Sequence, residues 1–184
     1  MSAAGARRWA MAVDTRRCVG CNACVISCKT ENALPAGGFR GWVVQEARGT
    51  FPDVSLQIRS ERCNQCASAP CVSSCPTGAS HLGEGGVVLV NRAKCTGCKA
   101  CLAACPYGGR YVHPEEGFVD KCTFCLHRVR RGDGPACVTT CPTRALTFGD
   151  LADPESAVSR LRASRRWEVS RPEAGTRPHV FFLT

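Results

Sequence analysis

Sixteen of the 184 residues are cysteine, and they fall into four groups of four with none left over. Group one is Cys18, Cys21, Cys24 and Cys28, spaced C-x2-C-x2-C-x3-C. Group two is Cys63, Cys66, Cys71 and Cys75, spaced C-x2-C-x4-C-x3-C. Group three, Cys95, Cys98, Cys101 and Cys105, repeats the first spacing. Group four is Cys122, Cys125, Cys137 and Cys141, spaced C-x2-C-x11-C-x3-C. Cysteine at about 9 % is several times ordinary usage. The apolar fraction of 44 % includes these residues, so the remaining supply for a core is modest. A chain this short of core needs staples, either disulfides or metal.

Three chemistries compete for these thiols. Disulfide scaffolds belong to secreted domains, and C-x2-C neighbours repeated four times would compete for the same partners. Zinc takes four thiolates readily, but zinc ribbons set two pairs apart by a long loop. They do not place three cysteines in seven residues with a fourth close behind. Iron–sulfur fits best. C-x2-C-x2-C-x3-C-P is the bacterial ferredoxin run, in which three cysteines bind one [4Fe–4S] cube and the fourth reaches a second. Group three matches fully, with Pro106 after Cys105. Groups two and four also end in Cys-Pro, at Cys75-Pro76 and Cys141-Pro142, while group one ends Cys28-Lys29. Sixteen thiolates at four per cube give four [4Fe–4S] clusters. Gly20 and Gly97 precede the second cysteine of groups one and three. Glycine there suits backbone that wraps closely around inorganic sulfur with unusual dihedrals, and equally a simple turn.

The groups also repeat as pairs. Val13 to Cys18 parallels Val90 to Cys95, and both continue C-x-G-C-x-A-C. Cys71-Val72-Ser73-Ser74-Cys75-Pro76-Thr77 parallels Cys137-Val138-Thr139-Thr140-Cys141-Pro142-Thr143. The sequence therefore reads as a duplicated two-cluster ferredoxin. Alternating Val54, Leu56 and Ile58, the run Val87 to Val90, and Leu146-Thr147-Phe148 predict strands. Cys101-Leu102-Ala103-Ala104 predicts a short helix. The expected class is α+β with small elements and much loop. Asp153-Pro154-Glu155 suggests a cap with proline at the first helical position, giving an amphipathic helix over roughly 154–165 with Val158 and Leu161 as its apolar stripe. His179 to Leu183 should pack on this body or on another subunit.

Charge and motifs narrow the function. Lys and Arg outnumber Asp and Glu by 24 to 15, a formal +9 with cysteine counted neutral. Each oxidised cube with four thiolates carries about −2, so four would bring the total near +1. The basic excess thus compensates cluster charge. Arg16, Arg17, Lys29, Arg62, Arg92, Lys94, Lys99, Lys121, Arg128, Arg130 and Arg131 all lie near cysteine groups, some of them as ordinary solvated surface. No basic–aromatic platform for nucleic acid is present. No dinucleotide loop, P-loop, nucleophile elbow or paired-acid constellation points to catalysis. His113 and His127 are candidates for cluster tuning or, more simply, surface residues. No apolar run approaches the ~18 residues of a membrane span. Arg7-Arg8 resembles the start of a twin-arginine export signal, but Asp14, Arg16 and Arg17 interrupt the apolar stretch, so export is expected to depend on a partner.

The sequence resembles the four-cluster iron–sulfur subunit of membrane-bound molybdopterin oxidoreductases: the dimethyl sulfoxide, polysulfide, thiosulfate and tetrathionate reductases. Matching stretches are Arg62-Cys63-Asn64-Gln65-Cys66, Ala69-Pro70-Cys71-Val72, Cys105-Pro106-Tyr107 with Arg110-Tyr111, and Asp120 to Val129. Pro135-Ala136-Cys137 and Phe148-Gly149-Asp150-Leu151 match as well. The likeness covers about residues 13–152 and Gly175-Thr176-Arg177-Pro178. Nitrate-reductase-type relatives replace one cysteine by tryptophan; all are present here, which favours four cubes.

That resemblance implies crossed ligation. Cluster one would take Cys18, Cys21, Cys24 and Cys141; cluster two Cys28, Cys122, Cys125 and Cys137. Cluster three would take Cys63, Cys66, Cys71 and Cys105; cluster four Cys75, Cys95, Cys98 and Cys101. One ferredoxin-like module, 51–109, would be inserted in another made of 13–50 and 110–150, followed by a helix and docking tail, 151–184. The implied role is non-catalytic: electron relay between a quinone-reactive integral membrane subunit facing cluster four and a molybdopterin catalytic subunit facing cluster one. It implies a peripheral membrane association on the extracytoplasmic face through co-export. The alternative is a cytoplasmic polyferredoxin-type subunit of a hydrogenase or formate-oxidising complex.

Overall fold

The computed structural model describes residues 7–184. The chain opens with β1 (Trp9–Asp14), α1 (Ala23–Glu31), β2 (Gly41–Thr50) and β3 (Asp53–Arg62). There follow α2 (Pro70–Ser73), β4 (Ser80–Leu82), β5 (Val88–Val90) and α3 (Ala100–Ala103). Next come β6 (Tyr111–Val112), β7 (Val119–Asp120), α4 (Leu126–Val129), α5 (Ala136–Thr139) and β8 (Leu146–Asp150). The chain ends with α6 (Ala157–Ser164), β9 (Trp167–Glu168) and β10 (Val180–Leu183). The architecture is mixed helix and sheet.

The Arg7-Arg8 pair leads directly into the core. β1 lies inside a four-stranded sheet of order β8-β1-β10-β9, antiparallel to β8 and parallel to β10. Successive strand side chains point to opposite faces, so WAMAVD serves two layers at once. Met11 and Val13 join Phe124, Leu126, Leu146, Val180 and Phe182 on one face. Ala10 and Ala12 join Phe181, Leu183 and Val158 on the other. The small alanines let α6 lie close against the sheet. The apolar tail therefore packs on the body of its own chain, as β10.

The short helices end for a shared reason. α2, α3 and α5 each have four residues and stop just before a Cys-Pro pair. Proline excludes the helical conformation from the residue before it and cannot donate an N–H. Group one has Lys29 where the others have proline, and α1 runs on to nine residues.

β2 and β3 form a ten-residue ribbon, paired from Gly41 opposite Arg62 to Thr50 opposite Asp53. The expected strand at Val54, Leu56 and Ile58 is there, but among the described residues nothing covers its outer half. Val54 and Leu56 are exposed, and Phe51 at the turn is 92 % exposed. Arg40 anchors the ribbon's base, donating to both carboxylate oxygens of Asp120 on β7 at 2.8 and 2.9 Å. Tyr111 adds a third bond to the same carboxylate at 2.6 Å.

The C-terminal helix is shorter than its sequence predicts, 157–164 instead of 154–165. Asp153 accepts from the Glu155 amide at 2.9 Å and closes a turn. Ser156 caps the helix, accepting from the Ser159 amide at 3.3 Å. Val158 is fully buried and Leu161 packs beside it, as the apolar stripe requires.

Candidate functional site

Each cysteine group begins with the same backbone turn. The residue before the second cysteine is left-handed in all four: Gly20 (φ 71°), Gln65 (φ 48°), Gly97 (φ 68°) and Phe124 (φ 52°). For residues with a Cβ this conformation costs roughly 1–2 kcal/mol. Glycine avoids that cost, and at Gly97 it is also required for space: a Cβ there would stand 2.6 Å from the Gly117 carbonyl oxygen. Gln65 and Phe124 are held in the turn by burial. Gln65 donates to the Cys122 carbonyl at 2.7 Å and accepts from the Val88 amide at 2.8 Å. Phe124 meets Phe148 edge-on at 5.3 Å within the main core. In groups one and three the next helix starts from a left-handed residue as well, Asn22 or Lys99. The sequence repeat is thus a backbone repeat.

The turns bring thiols from different groups together. Cys18, Cys21, Cys24 and Cys141 line one cavity, with Pro142 and Val43. Cys75, Cys95, Cys98 and Cys101 line another, with Arg110 and Val119. Cys28 lies in the electrostatic neighbourhood of Cys122, Cys125 and Cys137, and Cys66 in that of Cys63, Cys71 and Cys105. Among the described residues, no three His, Cys, Asp or Glu side chains gather closely enough to hold a single metal ion. The first and fourth sets stand around cavities instead. The two inner sets are mostly buried, whereas each outer set has one exposed member, Cys21 or Cys98.

Free thiols are poorly suited to these positions as anions. Burial, then the neighbouring thiols, pushes Cys28 up to about 12. Burial likewise raises Cys66 and Cys122, each to about 11. At the outer sets the balance reverses for two thiols. Cys75 is lowered by the Ser80 amide, 3.4 Å from its sulfur. Burial raises Cys141, but the Thr143 hydroxyl and the Ala145 amide outweigh it. A bound cation core would remove the repulsion among four thiolates.

Three buried cations carry the complementary message. Arg62 is 4 % exposed, Arg110 8 % and Lys121 1 %. None is paired with a carboxylate among the described residues. Arg62 Nη1 stands 3.2 Å from Cys137 Sγ and 3.0 Å from Met11 Sδ, and Nη2 donates to Ser60 Oγ at 2.5 Å. Ser60 Oγ is 3.2 Å from Cys24 Sγ. Arg110 Nη2 donates to Cys71 Sγ at 2.9 Å and Ser80 Oγ at 2.7 Å. Lys121 Nζ donates to the Cys122 carbonyl at 2.5 Å. Burying a cation without an anion costs several kcal/mol. Thiolate-bound iron–sulfur cubes are anionic and fit this environment.

Arg110 is not among the basic residues that the sequence singles out near cysteine groups; its partner Cys71 lies 39 positions away and only the fold brings them together. Asn32 also escapes sequence reasoning; its amide reaches Cys28 Sγ at 3.6 Å and Cys125 Sγ at 4.0 Å. His127 bonds Glu31 at 2.7 Å, and His113 stacks on Phe118, so both have structural partners away from the thiols. Arg128, Arg130, Arg131 and Arg92 likewise pair with carboxylates.

Paired cysteine loops on short strands and helices define a ferredoxin-like protein that binds [4Fe–4S] clusters. Residues 54–151 match the 4Fe-4S dicluster domain family, and residues 17–79 match a second family of the same description. The B component of polysulfide reductase from Wolinella succinogenes is 44 % identical over 97 % of this chain and 95 % of its own length. The B component of tetrathionate reductase from Salmonella typhimurium is 42 % identical over 96 % of this chain and 72 % of its own length. The arsenate respiratory reductase iron-sulfur subunit of a Shewanella species is 36 % identical, with 96 % of each covered. The protein belongs to the family of 4Fe–4S electron-transfer subunits of reductases such as those acting on polysulfide, tetrathionate, selenate and arsenate. Among the described residues, no helix is long and apolar enough to cross a membrane.

Proposed function

We propose that the chain holds four [4Fe–4S] clusters and relays electrons between a quinone-reactive integral membrane subunit and a molybdopterin catalytic subunit. The ligand sets are Cys18, Cys21, Cys24 and Cys141; Cys28, Cys122, Cys125 and Cys137; Cys63, Cys66, Cys71 and Cys105; and Cys75, Cys95, Cys98 and Cys101. The observation that carries this reading is the crossed gathering of thiols into sets drawn from different groups. When bound, such clusters supply one-electron redox chemistry at the sulfur-lined cavities. The chain itself supplies ligands, excludes water from the inner sets and donates N–H groups to sulfur. Val119 N to Cys95 Sγ and Phe124 N to Cys122 Sγ, both 3.4 Å, are examples. Substrate chemistry is left to the partner with the harder cofactor.

The crossing also supports one module, 51–109, inserted within another made of 13–50 and 110–150. The exposure of Cys21 and of Cys98, one in each outer set, supports these as the electron entry and exit points. The first set faces the molybdopterin subunit and the fourth the membrane subunit. The assembly is peripheral to the membrane, on the extracytoplasmic face, carried there by a signal-bearing partner. The test is Cys98→Ser in the assembled complex. Quinol-linked turnover should fall at least about tenfold while artificial-donor activity of the catalytic subunit persists. Unchanged quinol-linked turnover contradicts a serial relay; a complex with no quinol-linked turnover even before substitution favours a cytoplasmic carrier.

A further inference from the structure

The three buried cations are not scattered. Arg62 bonds Cys137 of the second thiol set and, through the Ser60 hydroxyl, reaches Cys24 of the first. Arg110 bonds Cys71 of the third set and, through Ser80, whose amide donates to Cys75, reaches the fourth. Lys121 takes the remaining junction. Its ammonium donates to the Cys122 carbonyl of the second set. Gln65, on the loop between Cys63 and Cys66 of the third, donates to that same carbonyl. We propose that Arg62, Lys121 and Arg110 are potential-setting residues, one at each junction between successive clusters. This inference rests on the four-cluster reading above.

The physical argument begins with charge. Adding an electron to a buried cube makes an anionic site more anionic, and a fixed cation nearby stabilises that reduced form. Each of these cations sits where it can act on two neighbouring sites, so it stabilises the electron on either side of a hop. A cation beside one site alone would favour that site and make a trap. Burial keeps the effect large, because water and salt screen little at 1–8 % exposure. Arginine carries the role at the two outer junctions, reaching a thiol and a serine hydroxyl together, through two nitrogens at Arg62 and through Nη2 alone at Arg110. At the central junction a lysine reaches a backbone carbonyl shared by two cysteine loops.

The arginine–serine pair is built from different backbone at the two outer junctions. Arg62 and Ser60 are both on β3, whereas Arg110 precedes β6 and Ser80 opens β4. The pairing therefore is not a by-product of the sequence repeat. It recurs in different backbone, which points to the electrostatic need at each junction.

The test uses the assembled complex carrying Arg110→Gln, with iron content and redox titration followed by electron paramagnetic resonance. The expected result is full iron and two of four cluster signals titrating lower, by at least about tenfold in the reduced-to-oxidised ratio, about 59 mV for one electron. The other two signals stay in place. Arg110→Lys, which keeps the charge, should retain most of the original potential. Full iron with all four potentials unchanged overturns the proposal, as does an equal shift in all four. Should Arg110→Gln shed iron, Arg62→Gln and Lys121→Gln decide on the same readout; iron loss in all three assigns these residues to assembly and overturns the proposal. An iron-free wild-type protein instead refutes the four-cluster reading itself.

Discussion

The inner and outer thiol sets use one turn in two ways. At the outer sets, Gly20 and Gly97 supply the left-handed residue without a side chain, and one cysteine of each set reaches solvent. At the inner sets, Gln65 and Phe124 adopt the same conformation against their intrinsic preference. Both are essentially fully buried, at 0 % and 1 %. Burial overcomes the strain: Phe124 is part of the main core, and Gln65 ties two cysteine loops together. In the middle of the molecule, then, the hydrophobic core and the cofactor cradle are one object. At the ends Cys24 and Cys141, and Cys95 and Cys101, still pack on hydrophobic clusters, but Cys21 and Cys98 face solvent, where a partner can reach them. The difference matters for a relay, whose interior must exclude water while its ends stay within reach of other subunits.

The largest effect that would break this comparison is at the centre. Phe124→Ala removes a core ring and should cost about 3–5 kcal/mol. It should also lower iron loading at the inner sets, read by denaturant unfolding together with iron assay. If stability falls while all iron is retained, core and cradle are not coupled. A smaller effect sharpens the contrast between the two outer loops. Gly97→Ala places a Cβ 2.6 Å from the Gly117 carbonyl, where backbone must move. Gly20→Ala meets only the Gln45 amide nitrogen at 3.0 Å and Ile58 at 3.2 Å, side-chain atoms able to shift. Gly97→Ala should therefore destabilise by more than the roughly 1–2 kcal/mol of left-handed strain alone, and Gly20→Ala by about that amount. Equal melting shifts would show that space around the turn is not decisive.

How much of this is legible in the sequence depends on range. Cysteine spacing, the paired repeat and Gly20 and Gly97 are local, and they lead directly to cluster chemistry and to the loops that support it. β1 escapes notice because Trp9 to Asp14 is short and apolar on both faces, so the alternation that marks a half-buried strand is missing. The turns at Gln65 and Phe124 are hidden because nothing in either residue type advertises a left-handed backbone. Arg110 needs the fold to carry it to Cys71. The helix start moves because Asp153 spends its capping oxygen on a turn and Ser156 takes over.

The cysteine foursomes and their unpaired buried cations rest on one claim: inorganic clusters fill the space between these sulfurs. Anaerobic purification followed by iron and acid-labile sulfide analysis addresses it most directly. The account predicts a brown protein with about 16 iron and about 16 sulfide per molecule, four of each for every four of the sixteen cysteines. A colourless, folded protein holding a few zinc ions and no sulfide would contradict it.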